Sequence, residues 1–197
     1  MTSAALPEPP TRREQILATA AELFASRGFH GVSVADLGAA CGISGPALYK
    51  HFVSKDAVLA EMLVSISEEL LNVGRERVAS ADGPAAGLAA LVDWHVDFAL
   101  RHRPLIVVQD RDWESLPAQA REQVRTLQRS YVDLWADQLQ RLHADGGVEL
   151  DLDEARAMAH AAFGLINSTP HSGLLPDVSM HDLLHRMALR SLGVPVS

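Results

Sequence analysis

Residues 33–52, SVADLGAACGISGPALYKHF, constrain this chain more than any other stretch, because they read as two short helices joined by a tight turn. Ser33 is a candidate N-cap, and Asp36 three residues on sits where the positive end of a helix dipole favours a carboxylate. Val34, Leu37 and Ala40/Cys41 recur at helical spacing, so one face of the first helix is apolar. Gly42 stops that helix, since the residue after it must take a conformation that a Cβ resists. Ile43 plugs the turn and Ser44 caps again. Pro46 is tolerated, because a first helical turn has no amide partner to lose. The second helix, 45–52, turns Leu48 and Phe52 inward as an i,i+4 pair and leaves a polar face outside. Such a helix–turn–helix lays its second helix in the DNA major groove. By spacing alone, an ordinary helical hairpin inside a bundle fits equally well.

The flanking residues separate the two readings. Ala20 to Phe29 follow A-x-x-L-F-x-x-x-G-[FY], and residues 33–37 follow S-V-x-D-[IL]. Residues 42–52 follow G-[IV]-S-x-x-x-[LI]-Y-x-H-F, and residues 55–58 follow K-[DE]-x-[LV]. Over residues 12–63, about a third of the chain, the sequence resembles the N-terminal domain of the TetR family of bacterial transcription regulators. The resemblance implies a three-helix DNA-binding domain over 12–53. A connecting helix and a helical ligand-binding and dimerisation domain would follow over 54–197. It places the hydroxyls and amides of Ser33 and Ser44 near phosphates, and Gly45, Pro46 and Ala47 near base edges. Tyr49 and His51 would meet backbone phosphate, Lys50 a base or phosphate, and Lys55 a phosphate at the next helix start. Arg12 and Arg13 are either further phosphate contacts or solvated charges. Gly45, Pro46 and Ala47 carry no strong side-chain donor, which leaves van der Waals contact with thymine methyls for readout.

Charge is consistent with this once it is divided. The whole chain carries −8, which argues against nucleic acid, but residues 1–55 sum to +1 and residues 56–197 to −9. Both lysines of the chain, Lys50 and Lys55, fall in the proposed reading head. Hydrophobic residues make up 48% of 197, enough to build a sizeable core. No apolar run approaches a membrane span, and residues 1–11, rich in proline and small residues, are expected to form a disordered arm without a secretion signal. A cytoplasmic protein is expected. One cysteine, Cys41, makes no internal disulfide or cysteine zinc cluster.

Periodicity predicts only helices, so the expected class is all-α. A first helix with an Ile16, Ala20, Leu23, Phe24 stripe ends at Gly28. A long helix over about 54–78, capped by Ser54, joins the head to the rest and is the candidate lever. Further helices are expected over 85–103, ended by Pro104, and over 118–143, stopped by Gly146 and Gly147. Two more are expected from an Asp151/Glu154 capping box to about 168, and over 180–192. Residues 105–109 read as a short apolar piece, 110–117 as a charged connection and 169–179 as a loop.

In the resemblance the last two helices pair with those of a second subunit. Ala157, Ala159, Ala161, Ala162 and Gly164 would allow close approach there, with Phe163, Leu165, Leu184 and Met187 filling the seam. A homodimer also suits a near-palindromic operator, whose half-sites lie roughly 34 Å apart.

Large or polar residues that interrupt aliphatic faces are the candidates for a ligand pocket. Trp94, His95, Phe98, Gln109 and Arg111 are five of them, and Trp113, Tyr131, Trp135, Phe163 and Asn167 are the others. The Arg111–Trp113 region and Arg121, Arg125 and Arg129 resemble regulators of lipid and acyl-thioester metabolism, so an acyl thioester or other hydrophobic anion is the expected effector. No cofactor, metal or catalytic group is expected. The rival classes are a helical metal-dependent enzyme and a protein-binding scaffold. His181 and His185 have metal-ligand spacing but lack the Glu of an H-E-x-x-H frame. Neither rival accounts for the reading head.

Overall fold

The computed structural model describes residues 10–194, and all regular structure among them is helical. The head consists of α1 (Arg12–Arg27), α2 (Val34–Ala40) and α3 (Gly45–Leu48). A 25-residue helix, α4 (Lys55–Ala79), leaves it. The body is α5 (Pro84–Arg101), α6 (Arg103–Asp112), α7 (Ala118–Asp145), α8 (Leu152–Ile166) and α9 (Asp177–Ser191). Residues 1–9 of the expected arm lie outside the described residues. Thr11 belongs to the fold rather than the arm, since its side chain and that of Glu14 close a capping box on α1.

Local chemistry sets the head's boundaries. Ser33 accepts from the Asp36 amide at 3.1 Å while the Asp36 carboxylate accepts from the Ser33 amide at 2.8 Å, a complete capping box. Gly28 and Gly42 end their helices at φ 79° and 67°, where a side chain is strained. Two expectations are corrected here. Ala40 is exposed, and Leu37 with Gly38 forms the buried side of α2. The α-helical part of α3 is four residues, its last turn passing through Tyr49 to His51.

Two apolar clusters fill the molecule. The head cluster holds Ile16, Phe24, Leu37, Leu48 and Phe52 with Val58, Leu59, Met62 and Leu63 of α4. The body cluster gathers Leu88, Leu91, Val96, Trp135, Leu139 and Ile166 around Leu71. At the α4–α7 crossing a Cβ on Gly74 would lie 2.9 Å from the Tyr131 ring, so only glycine lets the helices meet this closely.

The lever is not single. Val108 of α6, Leu116, and Ala120 and Val124 of α7 enter the head cluster, so the body grips the head at a second place. This follows from a misplaced boundary at Pro104. Proline ends α5, but it also occupies the first turn of α6, where no amide is needed, and residues 105–112 continue as a regular helix. Other ends also move. Asp151 makes no side-chain cap, so the expected box with Glu154 does not form, and α9 starts at Asp177, three residues before the expected Met180.

Candidate functional site

The outer side of the helix–turn–helix is built by what its inner side buries. Leu48 and Phe52 are 1% and 3% exposed, which pins the second helix and directs Pro46, Tyr49 and Lys50 to solvent. Ala47 and His51 are half-buried beside them, and Ser44 caps through a bond from the Ala47 amide at 3.3 Å. Gly45 packs against Ala35, where a Cβ would stand at an ordinary 3.6 Å. The Ser33 hydroxyl and amide are both engaged by the Asp36 carboxylate, and its carbonyl accepts from the Leu37 amide.

The basic residues divide sharply. Lys50 is exposed. Lys55, expected at a phosphate, instead donates to the carbonyls of Phe29 and Val32 at 2.7 and 2.8 Å and lies 4.1 Å from the Phe29 ring centre. It ties the α1–α2 loop to the start of α4. Arg13 holds Glu61 and the His51 carbonyl, and Arg12 holds the Cys41 carbonyl, so both brace the head from within. Replacing Lys55 by methionine is therefore expected to destabilise the protein by about 2 kcal/mol, the scale of two charge-assisted bonds. The slope of DNA affinity against salt should stay the same. A variant that melts normally but binds DNA with a shallower salt dependence would return Lys55 to the phosphate.

A second site lies in the body. A cavity of about 230 Å³ is enclosed by α4, α5, α6, α7 and α8. Of the ten pocket candidates, His95, Phe98, Gln109, Tyr131, Phe163 and Asn167 line it. The other four do not. Trp94 donates to the Leu70 carbonyl at 3.3 Å, and the guanidinium groups of Arg77 and Arg101 stand 5.7 and 5.4 Å from its ring centre. Trp135 is fully buried behind the cavity wall, edge-on to Phe163 at 4.9 Å. Arg111 and Trp113 belong to the head. Arg111 caps α1 through the carbonyls of Phe24 and Ala25, and Trp113 packs on the head cluster. Sequence reasoning missed the aliphatic Ile66 and Leu70 of α4, Leu105 and Ile106 of α6 and Val132 of α7, and the polar Ser67, Asp110, Gln128 and His160. The aliphatic ones sit at core spacing, where nothing local distinguishes a cavity wall from a core, and the polar ones read as ordinary helix-surface residues.

The polar end of the cavity is uncharged. The His95 Nε2 faces the Asn167 carbonyl oxygen at 3.1 Å and Nδ1 faces the Tyr131 hydroxyl at 3.3 Å. The ring therefore carries its proton on Nε2, donates it to Asn167, and accepts from the tyrosine. Phe163 stacks on the imidazole at 4.8 Å. Burial pushes His95 down to about 4, opposed by the Asn167 bond, and burial likewise raises the Tyr131 phenol above its ordinary range. At neutral pH the three groups form a neutral relay. No lysine or arginine lines this cavity.

Cavity and head share α4, α6 and α7, and on α6 the two meet at consecutive residues. Gln109 and Asp110 of α6 line the cavity, and the next two residues hold the head. Arg111 reaches the α1 carbonyls, and the buried Asp112 accepts from the Phe29 amide at 3.3 Å. His181 and His185 face elsewhere. Their rings stack at 6.0 Å, and His181 Nε2 sits 3.4 and 3.5 Å from Asp93 and Asp97. Among the described residues no group of three or more His, Cys, Asp or Glu is placed to hold a metal. No helix among them is long and apolar enough to cross a membrane.

Comparison with known proteins agrees with this arrangement. Residues 16–62 match the family profile described as bacterial regulatory proteins, tetR family. Residues 81–171 match one described as tetracyclin repressor-like, C-terminal domain. The HTH-type transcriptional repressor KstR2 of Rhodococcus jostii is 32% identical over 143 residues, spanning 72% of this chain and 70% of that protein. KstR2 of Mycolicibacterium smegmatis is 29% identical over 147 residues, 74% and 72% of the two chains. The crystal structure of a TetR-family transcriptional regulator from Bordetella parapertussis superimposes with a TM-score of 0.80 at 25% identity, covering 96% of this chain and all of that one.

Proposed function

The chain belongs to the TetR family of bacterial transcription regulators, and from that premise we propose that it is a dimeric repressor released from a palindromic operator by a small-molecule effector. The observation that carries the proposal is on α6, one of the helices shared by cavity and head, whose consecutive residues line the cavity and clamp α1. An effector that binds more tightly to one position of α6 shifts the head with it, and α4 transmits the same movement from its own cavity residues Ile66 and Leu70. Operator release then needs only a change in the separation of two heads whose half-sites are roughly 34 Å apart.

The dimer face follows from what the protomer leaves uncovered. Ala159, Ala162 and Leu184 are consumed in its own core, so they drop out of the expected seam. Ala157, Ala161 and Gly164 of α8 remain exposed, with Met187 at 45% and Val178 at 77% exposed on α9. A Cβ on Gly164 would meet nothing within 4 Å, which leaves room for a second backbone.

The test is binding to the upstream intergenic DNA of its own gene across a salt series, with sedimentation of the complex. Two copies per operator are expected. Lys50→Ala should lower the slope of log affinity against log salt by about two, one phosphate contact per subunit. Absence of specific binding at low salt, or a slope that Lys50→Ala does not move, sinks the corresponding part of the reading.

A further inference from the structure

The head has few cations to offer DNA once its internal bonds are set aside. Residues 1–55 hold five basic residues, Arg12, Arg13, Arg27, Lys50 and Lys55. Arg12, Arg13 and Lys55 are bound inside the fold, to backbone carbonyls and to Glu61. Arg27 and Lys50 are exposed, and among the described residues neither belongs to an ion pair. Lys50 follows the end of α3, and no role has been assigned to Arg27.

The turn that enters α2 sets the place of Arg27. This residue ends α1, and the chain doubles back at once, the Gly31 amide donating to the Gly28 carbonyl at 3.1 Å. A Cβ on Gly31 would collide with the Arg27 carbonyl, so the turn lies directly on the last residue of α1. Two residues later Ser33 caps α2. The first turn of α2 packs in its turn on the start of α3. There a Cβ on Gly45 would meet the Ala35 Cα at 3.6 Å and the Val34 carbonyl oxygen at 3.8 Å. A short series of backbone contacts thus joins Arg27 to the N-terminal end of the recognition helix.

In a helix–turn–helix the second helix enters the major groove by its N-terminal residues while the first crosses the DNA backbone. This edge of the head therefore meets phosphate. The groups expected to serve it are engaged elsewhere. Asp36 occupies the Ser33 hydroxyl and amide, and Lys55 is turned to the Phe29 and Val32 carbonyls. The Asp36 carboxylate is itself committed to the cap. The hydroxyl and amide bonds from Ser33 hold it below the usual carboxylate range, and the nearby charge of Arg27 adds to them. Arg111, on the body side of the turn, is paired with Asp112. That leaves Arg27.

We propose that Arg27 is an operator contact whose guanidinium binds a backbone phosphate beside the first helix of the motif, the role that Lys55 does not fill. Each subunit then brings two cations to the DNA, Arg27 at the backbone and Lys50 at the recognition helix. The assignment rests on the reading of the chain as a dimeric DNA-binding regulator.

Operator affinity of the full-length protein across a salt series tests it, with Arg27→Ala, Arg27→Lys, Lys50→Ala and Arg75→Ala beside the parent. Arg27→Ala should melt close to the parent, since the side chain is exposed. It should lower the slope of log affinity against log salt by about two, one phosphate per subunit. Its deficit then grows about tenfold as salt falls from about 200 mM to about 50 mM. Arg27→Lys should keep the slope and lose only part of the affinity, because the charge stays while the planar fork is lost. Arg75→Ala removes an exposed charge from the far part of α4 and should leave the slope in place. A slope that Arg27→Ala does not move overturns the proposal. So does an equal drop with Arg75→Ala, which would reveal a general field rather than a contact. If Lys50→Ala lowers the slope and Arg27→Ala does not, this inference falls alone. A parent that binds no operator DNA takes the regulator reading down with it.

Discussion

Replacing Gly38 by alanine is expected to abolish operator binding and to lower the stability of the head, although alanine is the better helix former. Propensity alone predicts a gain of about 0.5–1 kcal/mol for this change inside a helix. Packing predicts the opposite and dominates. A Cβ on Gly38 would lie 2.8 Å from the Gly45 amide nitrogen, 2.9 Å from the Ile43 carbonyl oxygen and 3.0 Å from the Ser44 carbonyl carbon. All three are backbone atoms of the turn and of the start of α3, so no flexible side chain can yield. Overpacking of this kind costs about 1–3 kcal/mol. The strain falls on the contact that sets the angle of a four-residue recognition helix. Gly45→Ala is the control for stability, since its Cβ meets Ala35 at 3.6 Å. Thermal unfolding and operator affinity of the two variants decide the matter. A Gly38→Ala protein that melts higher than the parent and binds DNA normally would refute the packing argument.

Acidification should destabilise the protein through His95. In the unfolded chain its imidazole takes a proton near pH 6.5, whereas in the fold it resists until about pH 4. Between these values the unfolded state binds more protons, so stability rises with pH across the window. The contribution is fully present above pH 6.5, is lost as pH falls, and levels off below about pH 4. Two and a half units correspond to about 3 kcal/mol, and the full burial of the ring means that solvent screening takes little from this. Denaturant unfolding of the parent and of His95→Gln at a series of pH values isolates the effect. The advantage of the parent at neutral pH should shrink by about that amount by pH 4. Parallel curves would mean that the imidazole is not held neutral by its surroundings.

The parts of this protein that were legible in its sequence are those governed by neighbours a few residues away. The capping of α2 by Ser33 and Asp36, the stop at Gly42 and the proline in the first turn of α3 are all local chemistry. The inward pair Leu48 and Phe52 follows from a period of 3.6 residues, and so does the all-helical class. Six of the ten pocket candidates line the cavity, three of them for a related reason. A histidine, a tyrosine or an asparagine on an aliphatic face needs a polar partner, and here three such groups found one another.

What the sequence did not contain was direction over long separations. Lys55, Arg12, Arg13 and Arg111 are charges that a one-dimensional reading sends to DNA, ligand or solvent. Each instead satisfies backbone carbonyls 23 to 87 residues away. Trp113 and Arg111 joined the head because Pro104 begins a helix as readily as it ends one, and α6 then folds back on α1. The sequence by itself determined the class of fold, the reading head and its polar outer face, since caps, turns and periodicity act within a few residues. Only the tertiary structure decided which aliphatic residues enclose a cavity and which helices join that cavity to the head. Those outcomes depend on the packing of surfaces that meet only after the chain has folded.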